Sequence, residues 1–259
     1  MSDLIQVDKR SDEIAYLTFN RPEKKNALSC AMMKEALDAV EQLEQDPLVR
    51  VIVLRGKGDA FCTGLDLKET IDLTKAEEAI TLYAELLNAL YELPQLTICS
   101  VHGYALAGGC GIAAVTDFII AGAEAKFGFP EVQRGLVPSV VLAFLYRHFG
   151  DQILRELLLF GEQIDAYRAR DLHFVNLLVD DESLEAETER RAFEALKSSP
   201  HAVAQIKKLM REKDPFPFEE ELAAALSLHK LARTHKEATE GLLSFKEKRK
   251  PYWWSEREQ

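Results

Sequence analysis

Val101-His-Gly-Tyr-Ala-Leu-Ala-Gly-Gly-Cys-Gly-Ile-Ala-Ala-Val-Thr-Asp117 is the stretch on which the reading of this chain turns. An apolar, β-branched run, Thr97 to Val101, leads into it. The chain then passes Gly103, Gly108, Gly109 and Gly111 and resumes as a small-residue helical pattern, Ile112 to Val115. A strand, a glycine turn and a helix start leave backbone N–H groups without partners, and the helix dipole favours negative charge beside them. Two readings follow: a cradle for an anion or oxyanion, or a tight connection that needs glycine only for its positive φ. The stretch by itself does not separate them.

Working outward, the same grammar recurs. Ile14 to Phe19 reads as a strand ended by Asn20-Arg-Pro22. Ser29 is the expected N-cap of a helix with Met33, Leu37, Val40 and Leu43 on one side. Val49 to Leu54 is a continuous apolar strand of the type buried on both faces. Phe61-Cys-Thr-Gly-Leu-Asp-Leu-Lys68 is a second glycine turn before a helical run. Thr74 is the expected cap of the next helix, which carries Ile80, Tyr83, Leu87 and Leu90 and stops at Pro94. Phe118 to Ala121 is a further strand. Successive βα units of this kind predict an α/β core.

Phe127-Gly-Phe-Pro-Glu-Val-Gln-Arg-Gly-Leu-Val-Pro138 reads as a loop whose one acid, Glu131, sits among mostly apolar neighbours. Such a carboxyl is suited to proton transfer; it is equally a helix-start acid after Pro130. From Ser139 the chain reads as almost all helix. Asp165 is the expected cap of Ala166 to Asp171, and Val175 to Val179 is a brief strand. Helices are expected over Glu182 to Ser198, Pro200 to Glu212, Phe218 to Thr234 and His235 to about Glu247, with a hinge at Asp214-Pro-Phe-Pro217. The Leu222, Ala225, Leu226 and Leu228 face is expected to pack on the core or on another subunit.

Composition narrows the function classes. Hydrophobic residues make up 47% of 259, enough for a large core. A net charge of −11 disfavours broad nucleic-acid binding. Lys246, Lys248, Arg249 and Lys250 are a basic exception at the C-terminus. Cys30, Cys62, Cys99 and Cys110 form no CxxC pair and no zinc spacing with histidine, so no metal is expected. No apolar leader region or run of 18 apolar residues occurs, so a soluble, cytoplasmic protein without membrane contact is expected.

Five segments together resemble the crotonase superfamily, the enoyl-CoA hydratase/isomerase family. They are Phe19-Asn-Arg-Pro22 with Asn26-Ala-Leu28; Val51-Ile-Val-Leu54; Phe61 to Lys68; Gly103 to Asp117 with Phe127-Gly-Phe-Pro-Glu131 and Gly135-Leu-Val-Pro138; and Gly241 to Lys250. The resemblance implies a crotonase-like (ClpP/crotonase) spiral of ββα units over residues 1–198. It implies a C-terminal helical region, 199–259, serving oligomerisation and CoA contact. Trimers or hexamers acting on acyl-CoA thioesters are implied, with no cofactor beyond the coenzyme A of the substrate.

By position, the amides of Leu65 and Gly108 would bind the thioester oxygen and Glu131 would be the acid–base group. Gly64, Asp66, Gly111 and Pro130 would line the substrate site. Phe245 and Lys248 would meet the CoA adenine and phosphates, often across a subunit boundary, with Lys25 and Lys68 as further phosphate candidates.

One departure matters. Two-acid hydratases of the family carry a glutamate where this chain has Gly111, so Glu131 must act alone or with an unidentified helper. The glycine is expected to leave room for a C3 substituent or a distal carboxylate. The implied activity is hydration or dehydration of 2-enoyl thioesters, with the 3-methylglutaconyl type as one candidate. The alternatives are a Δ3,Δ2-enoyl-CoA isomerase, a dehydratase acting on acyl carrier protein, and a non-catalytic member.

Overall fold

The computed structural model describes residues 3–71, 73–212 and 218–253. The expected hinge at Asp214 to Pro217 lies outside the described residues. The chain opens with β1 (Ile5–Ser11) and β2 (Ile14–Phe19), an antiparallel pair. Then come α1 (Cys30–Gln45), β3 (Val51–Gly56), α2 (Leu73–Glu92), β4 (Leu96–Val101), β5 (Tyr104–Leu106) and α3 (Gly108–Ala114). Next are β6 (Phe118–Gly122), β7 (Lys126–Gly128), α4 (Ser139–Leu145), α5 (Asp151–Leu159), β8 (Gln163–Asp165), α6 (Ala166–Asp171) and β9 (Leu177–Val179). Helices α7 (Leu184–Ala195), α8 (Pro200–Glu212), α9 (Phe218–Arg233) and α10 (Lys236–Glu247) complete the fold.

The caps behave as the side chains dictate. Ser29 accepts from the Met32 amide at the start of α1, and Asp165 accepts from the Arg168 amide at the start of α6. Helix α2 begins at Leu73, so Thr74 lies inside it rather than capping it.

Two sheets result, one ordered β1-β2-β3-β4-β6-β9 and the other β5-β7-β8. From β2 to β9 the large sheet is parallel. The apolar runs are continuous because both faces of this sheet are covered. Ile14, Tyr16, Val51, Val53, Ile98 and Ile120 face α7, through Leu184 and Ala192. The alternate residues, including Ala15, Leu17, Ile52, Leu54 and Cys99, enter the main core with α1 and α2.

The small sheet positions everything that follows. After β4 the chain crosses from one sheet to the other through His102 and Gly103, and after β6 it does so again before β7. The segment after β3 makes the same move as a single bridge, Cys62 to Ala105. Ala105 in turn pairs in parallel with Phe127. Three successive strand–crossover–strand–helix layers are therefore stacked with Cys62, Ala105 and Phe127 in line. The segment Phe127 to Pro138, expected as a loop, is thus partly strand; it continues as a 3-10 turn, Pro130–Arg134.

The C-terminal helices pack back on this core. Helix α9 lies on α2 and α4, with Ser139 Oγ donating to the Ala225 carbonyl and Arg147 paired to Glu221 at 3.0 Å. Helix α10 lies on the Pro130–Arg134 turn, where Gly241 meets the Arg134 backbone so closely that no Cβ would fit.

Candidate active site

Each stacked layer ends in a turn at the same level. Leu65 follows the bridge residue Cys62, Gly108 follows Ala105, and Glu131 follows Phe127 and Gly128. Gly64 brings the first two turns together. Its φ is +86°, and a Cβ there would stand 2.8 Å from both Ala107 Cβ and the Gly108 nitrogen. Leu65 is bridged to Leu28, but by its neighbours' groups: the Leu28 amide donates to the Gly64 carbonyl, and the Asp66 amide donates to the Leu28 carbonyl. Among the described residues neither the Leu65 nor the Gly108 amide donates a hydrogen bond. Ala107, at φ 50° and ψ −125°, is a non-glycine residue in a costly conformation, held by its own amide on the Gly128 carbonyl at 2.8 Å.

One cavity collects these turns. Leu65, Gly108, Pro130 and Glu131 line it, with Ala76, Ile80 and Tyr83 from α2 and His229 and Arg233 from α9. The Glu131 oxygen Oε2 is buried and makes no hydrogen bond. Burial pushes the Glu131 carboxyl up to about 7, against smaller opposing effects of its own amide and of Arg134. A carboxyl so placed exchanges protons near neutrality and has an oxygen free to do so. It lies inside the cavity with Leu65 and Gly108, not out in solvent.

The space expected beside Gly111 is filled. A Cβ on residue 111 would land on the Tyr83 hydroxyl oxygen and 2.7 Å from Val141 Cγ2. Tyr83 donates to the Gly108 carbonyl at 3.0 Å and packs its ring against Gly108. Its phenol is held well above the usual range, by burial first and by Glu131 next. Gly111 therefore offers no room to a substituent; its lack of a side chain makes room for tyrosine.

The other expected site residues stand outside this cavity lining. Buried Asp66 pairs with Arg21 at 2.8 Å and accepts from the Lys68 amide, so it braces the Leu65 turn. Lys25 is exposed, with its ammonium 4.6 Å from the centre of the Tyr104 ring. Lys68 is exposed. Phe245, half exposed, stacks under the Arg134 guanidinium at 5.2 Å, and Lys248 is the left-handed C-cap of α10.

Sequence reasoning took Tyr83 as one residue of an apolar stripe and gave Arg134, His229 and Arg233 no role. The stripe did hold a signal, since a phenol in an otherwise aliphatic row must find a partner for its hydroxyl. His229 is buried and donates Nδ1–H to the Val137 carbonyl at 3.0 Å; burial lowers it to about 4, so it is neutral. Arg134 and Arg233 are the cationic members of the lining, both lowered by burial. Among the described residues no group of His, Cys, Asp and Glu could hold a metal ion, and no helix is long and apolar enough to cross a membrane.

Comparison with known proteins gives a consistent result. The family model described as enoyl-CoA hydratase/isomerase matches residues 9–256. The 2,3-dehydroadipyl-CoA hydratase of Escherichia coli K12 is 30% identical over 253 residues, covering 97% of this chain and 98% of its own. An enoyl-CoA hydratase/isomerase of Xanthobacter autotrophicus Py2 superposes with a TM-score of 0.85 at 28% identity, over 94% of this chain and 93% of its own. An enoyl-CoA hydratase of Mycobacterium avium gives 0.85 at 28%, over 98% and 100%.

Proposed function

Because the chain belongs to the enoyl-CoA hydratase/isomerase family, we propose that it adds water to, and removes it from, 2-enoyl thioesters of coenzyme A with Glu131 as its one acid–base group. The observation that carries this reading is the buried, unpartnered Glu131 oxygen in one cavity with the Leu65 and Gly108 amides.

In this mechanism the thioester oxygen accepts from the two amides. Ionised Glu131 takes a proton from water as the water oxygen bonds to C3. The C2–C3 π electrons move toward the thioester, whose oxygen gains negative charge as an enolate. The amides bind that charge more strongly than the starting carbonyl, which is the condition for catalysis. One such donor is typically worth ~3–4 kcal/mol of barrier. Glu131 then returns its proton to C2 on the same face, giving syn addition. A carboxyl near 7 is poised for both halves.

We also propose that the acyl group ends in a carboxylate, as in 3-methylglutaconyl-CoA. Arg134 and Arg233 give a mostly apolar cavity a basic side, and a relative is named for a dehydroadipyl thioester. A homotrimer or hexamer is the proposed assembly, because α8 and α9 leave Ile206, Leu209, Met210, Leu228 and Leu231 more than half exposed. A monomer by light scattering at micromolar concentration would defeat it.

A second reading has one observation in its favour. Tyr83 and Val141 fill the place beside Gly111, so no second carboxylate stands there to hold water. A Δ3,Δ2-enoyl-CoA isomerase needs only Glu131, moving one proton between C4 and C2. Incubation with crotonyl-CoA, 3-methylglutaconyl-CoA and a 3-enoyl-CoA separates the two. A product heavier or lighter by one water supports hydration; isomerisation of the 3-enoyl thioester with no such change supports the rival.

A further inference from the structure

Among the side chains lining the described cavity, three carry oxygen: Thr63, Tyr83 and Glu131. The Thr63 hydroxyl is engaged with the Lys25 carbonyl at 3.2 Å. That leaves a phenol and a carboxyl. A phenol has one hydrogen to donate and lone pairs to accept with. Tyr83 spends its hydrogen on the Gly108 carbonyl, a group that can only accept. Its oxygen is thus left as an acceptor, fixed in place by that bond and by the ring's packing on Gly108.

A water molecule inside a mostly apolar cavity needs two or more polar partners. Glu131 supplies one. The Tyr83 oxygen stands where any side chain of residue 111 would begin. We propose that the Tyr83 hydroxyl oxygen is the second polar anchor of the site, accepting a hydrogen bond from the water that adds and from the 3-hydroxyl of the hydrated thioester. Water is then held between a carboxylate that takes one of its hydrogens and a phenol oxygen that holds the other. Residue 111 is glycine because the hydroxyl occupies its side-chain space. This rests on the reading of Glu131 as the acid–base group.

The test compares affinities of 3-hydroxybutyryl-CoA and butyryl-CoA, by calorimetry, for the native protein and for Tyr83→Phe. Exchange of the C2 hydrogens of butyryl-CoA in heavy water is followed in both, since that reaction uses Glu131 and the amides and needs no added water. The native protein is expected to bind the hydroxy compound about 5–10-fold more tightly, the size of one net hydrogen bond. Tyr83→Phe should bring that ratio close to one, through weaker binding of the hydroxy compound, while C2 exchange stays measurable. Gly111→Ala, which displaces the hydroxyl without removing it, should lower the ratio in the same way.

A native ratio near one, an unchanged ratio in both variants, or loss of C2 exchange together with the ratio would each overturn the proposal. Hydration of crotonyl-CoA, measured alongside, reports separately on the function. If it is absent while the hydroxyl ratio and the exchange behave as described, the hydratase reading fails and the anchor stands.

Discussion

The cavity has two unlike walls. One is made by the stacked turns and presents mostly main chain: the amides of Leu65 and Gly108, with Glu131 as the single reactive side chain. The other is made by α2, α4 and α9 and presents side chains: Ile80, Tyr83, Val141, His229 and Arg233. The first wall is set by strand register and, in the proposed mechanism, would run the same chemistry on any acyl thioester. The second is set by helix packing and, in that mechanism, would decide what fits beside the reacting carbons. Division of labour of this kind lets one wall vary while the other is kept.

The largest expected effect comes from breaking the first wall at its one side chain. Glu131→Gln should lower turnover by roughly 10²–10⁴-fold. It should also change stability in a defined pH window. The unfolded carboxyl releases its proton near 4.5, whereas the folded one holds it to about 7. Between those values the unfolded state binds fewer protons, so native stability falls as pH rises. The fall, about 3 kcal/mol at most, should be missing from the variant. Thermal melts from pH 4 to 8 check it: parallel curves for the two proteins would show that the carboxyl is not held protonated.

A smaller effect follows from forcing the walls together. Gly111→Ala should cost about 1–3 kcal/mol, because the new Cβ meets the Tyr83 oxygen and Val141. Part of that cost should vanish in the background of Tyr83→Phe, where the nearest ring atom is 3.4 Å away and the contact with Val141 Cγ2 at 2.7 Å remains. Denaturant titration of the four proteins gives the coupling; additive effects would mean the hydroxyl does not occupy that space.

Next is selection by the second wall. Arg233→Met should reduce the preference for 3-methylglutaconyl-CoA over crotonyl-CoA, as a ratio of kcat/KM, by roughly 10-fold. An unchanged ratio would remove Arg233 from acyl recognition. The smallest effect is at Ala107, the residue that precedes α3 and meets Gly64. Ala107→Gly should stabilise the protein by about 1 kcal/mol, through relief of its positive φ. Equal or lower stability in chemical denaturation would show that the conformation carries little strain.

The two walls also differ in how far the sequence discloses them. Local rules place Ser29 and Asp165 as caps, β2 to the residue, and α8 from Pro200 to Glu212, because each depends on neighbours in the chain. The turns at Leu65 and Gly108 are visible as glycine clusters after apolar runs. Strands β5, β7 and β8 are three residues each and exist only through pairing with distant segments, so no periodicity marks them. Edge strand β1 is hidden by its charge: Asp8, Lys9 and Arg10 suit an exposed edge and leave no apolar run to mark a strand. Tyr83 and Arg233 are legible as residue types on helices, but what they face is decided by how α2 and α9 pack, which lies beyond local pattern.

The in-line stacking of Cys62, Ala105 and Phe127 has a consequence for how such a chain can vary over generations. The groups proposed to meet the thioester are counted off from those three rungs, so the count itself is inherited information. A change of letter at Leu65 alters a side chain and leaves the amide where it was. A single residue gained or lost between Cys62 and Leu65, or between Ala105 and Gly108, would turn the amide to another heading while leaving every chemical group present. At Leu65 spelling is free where length is not.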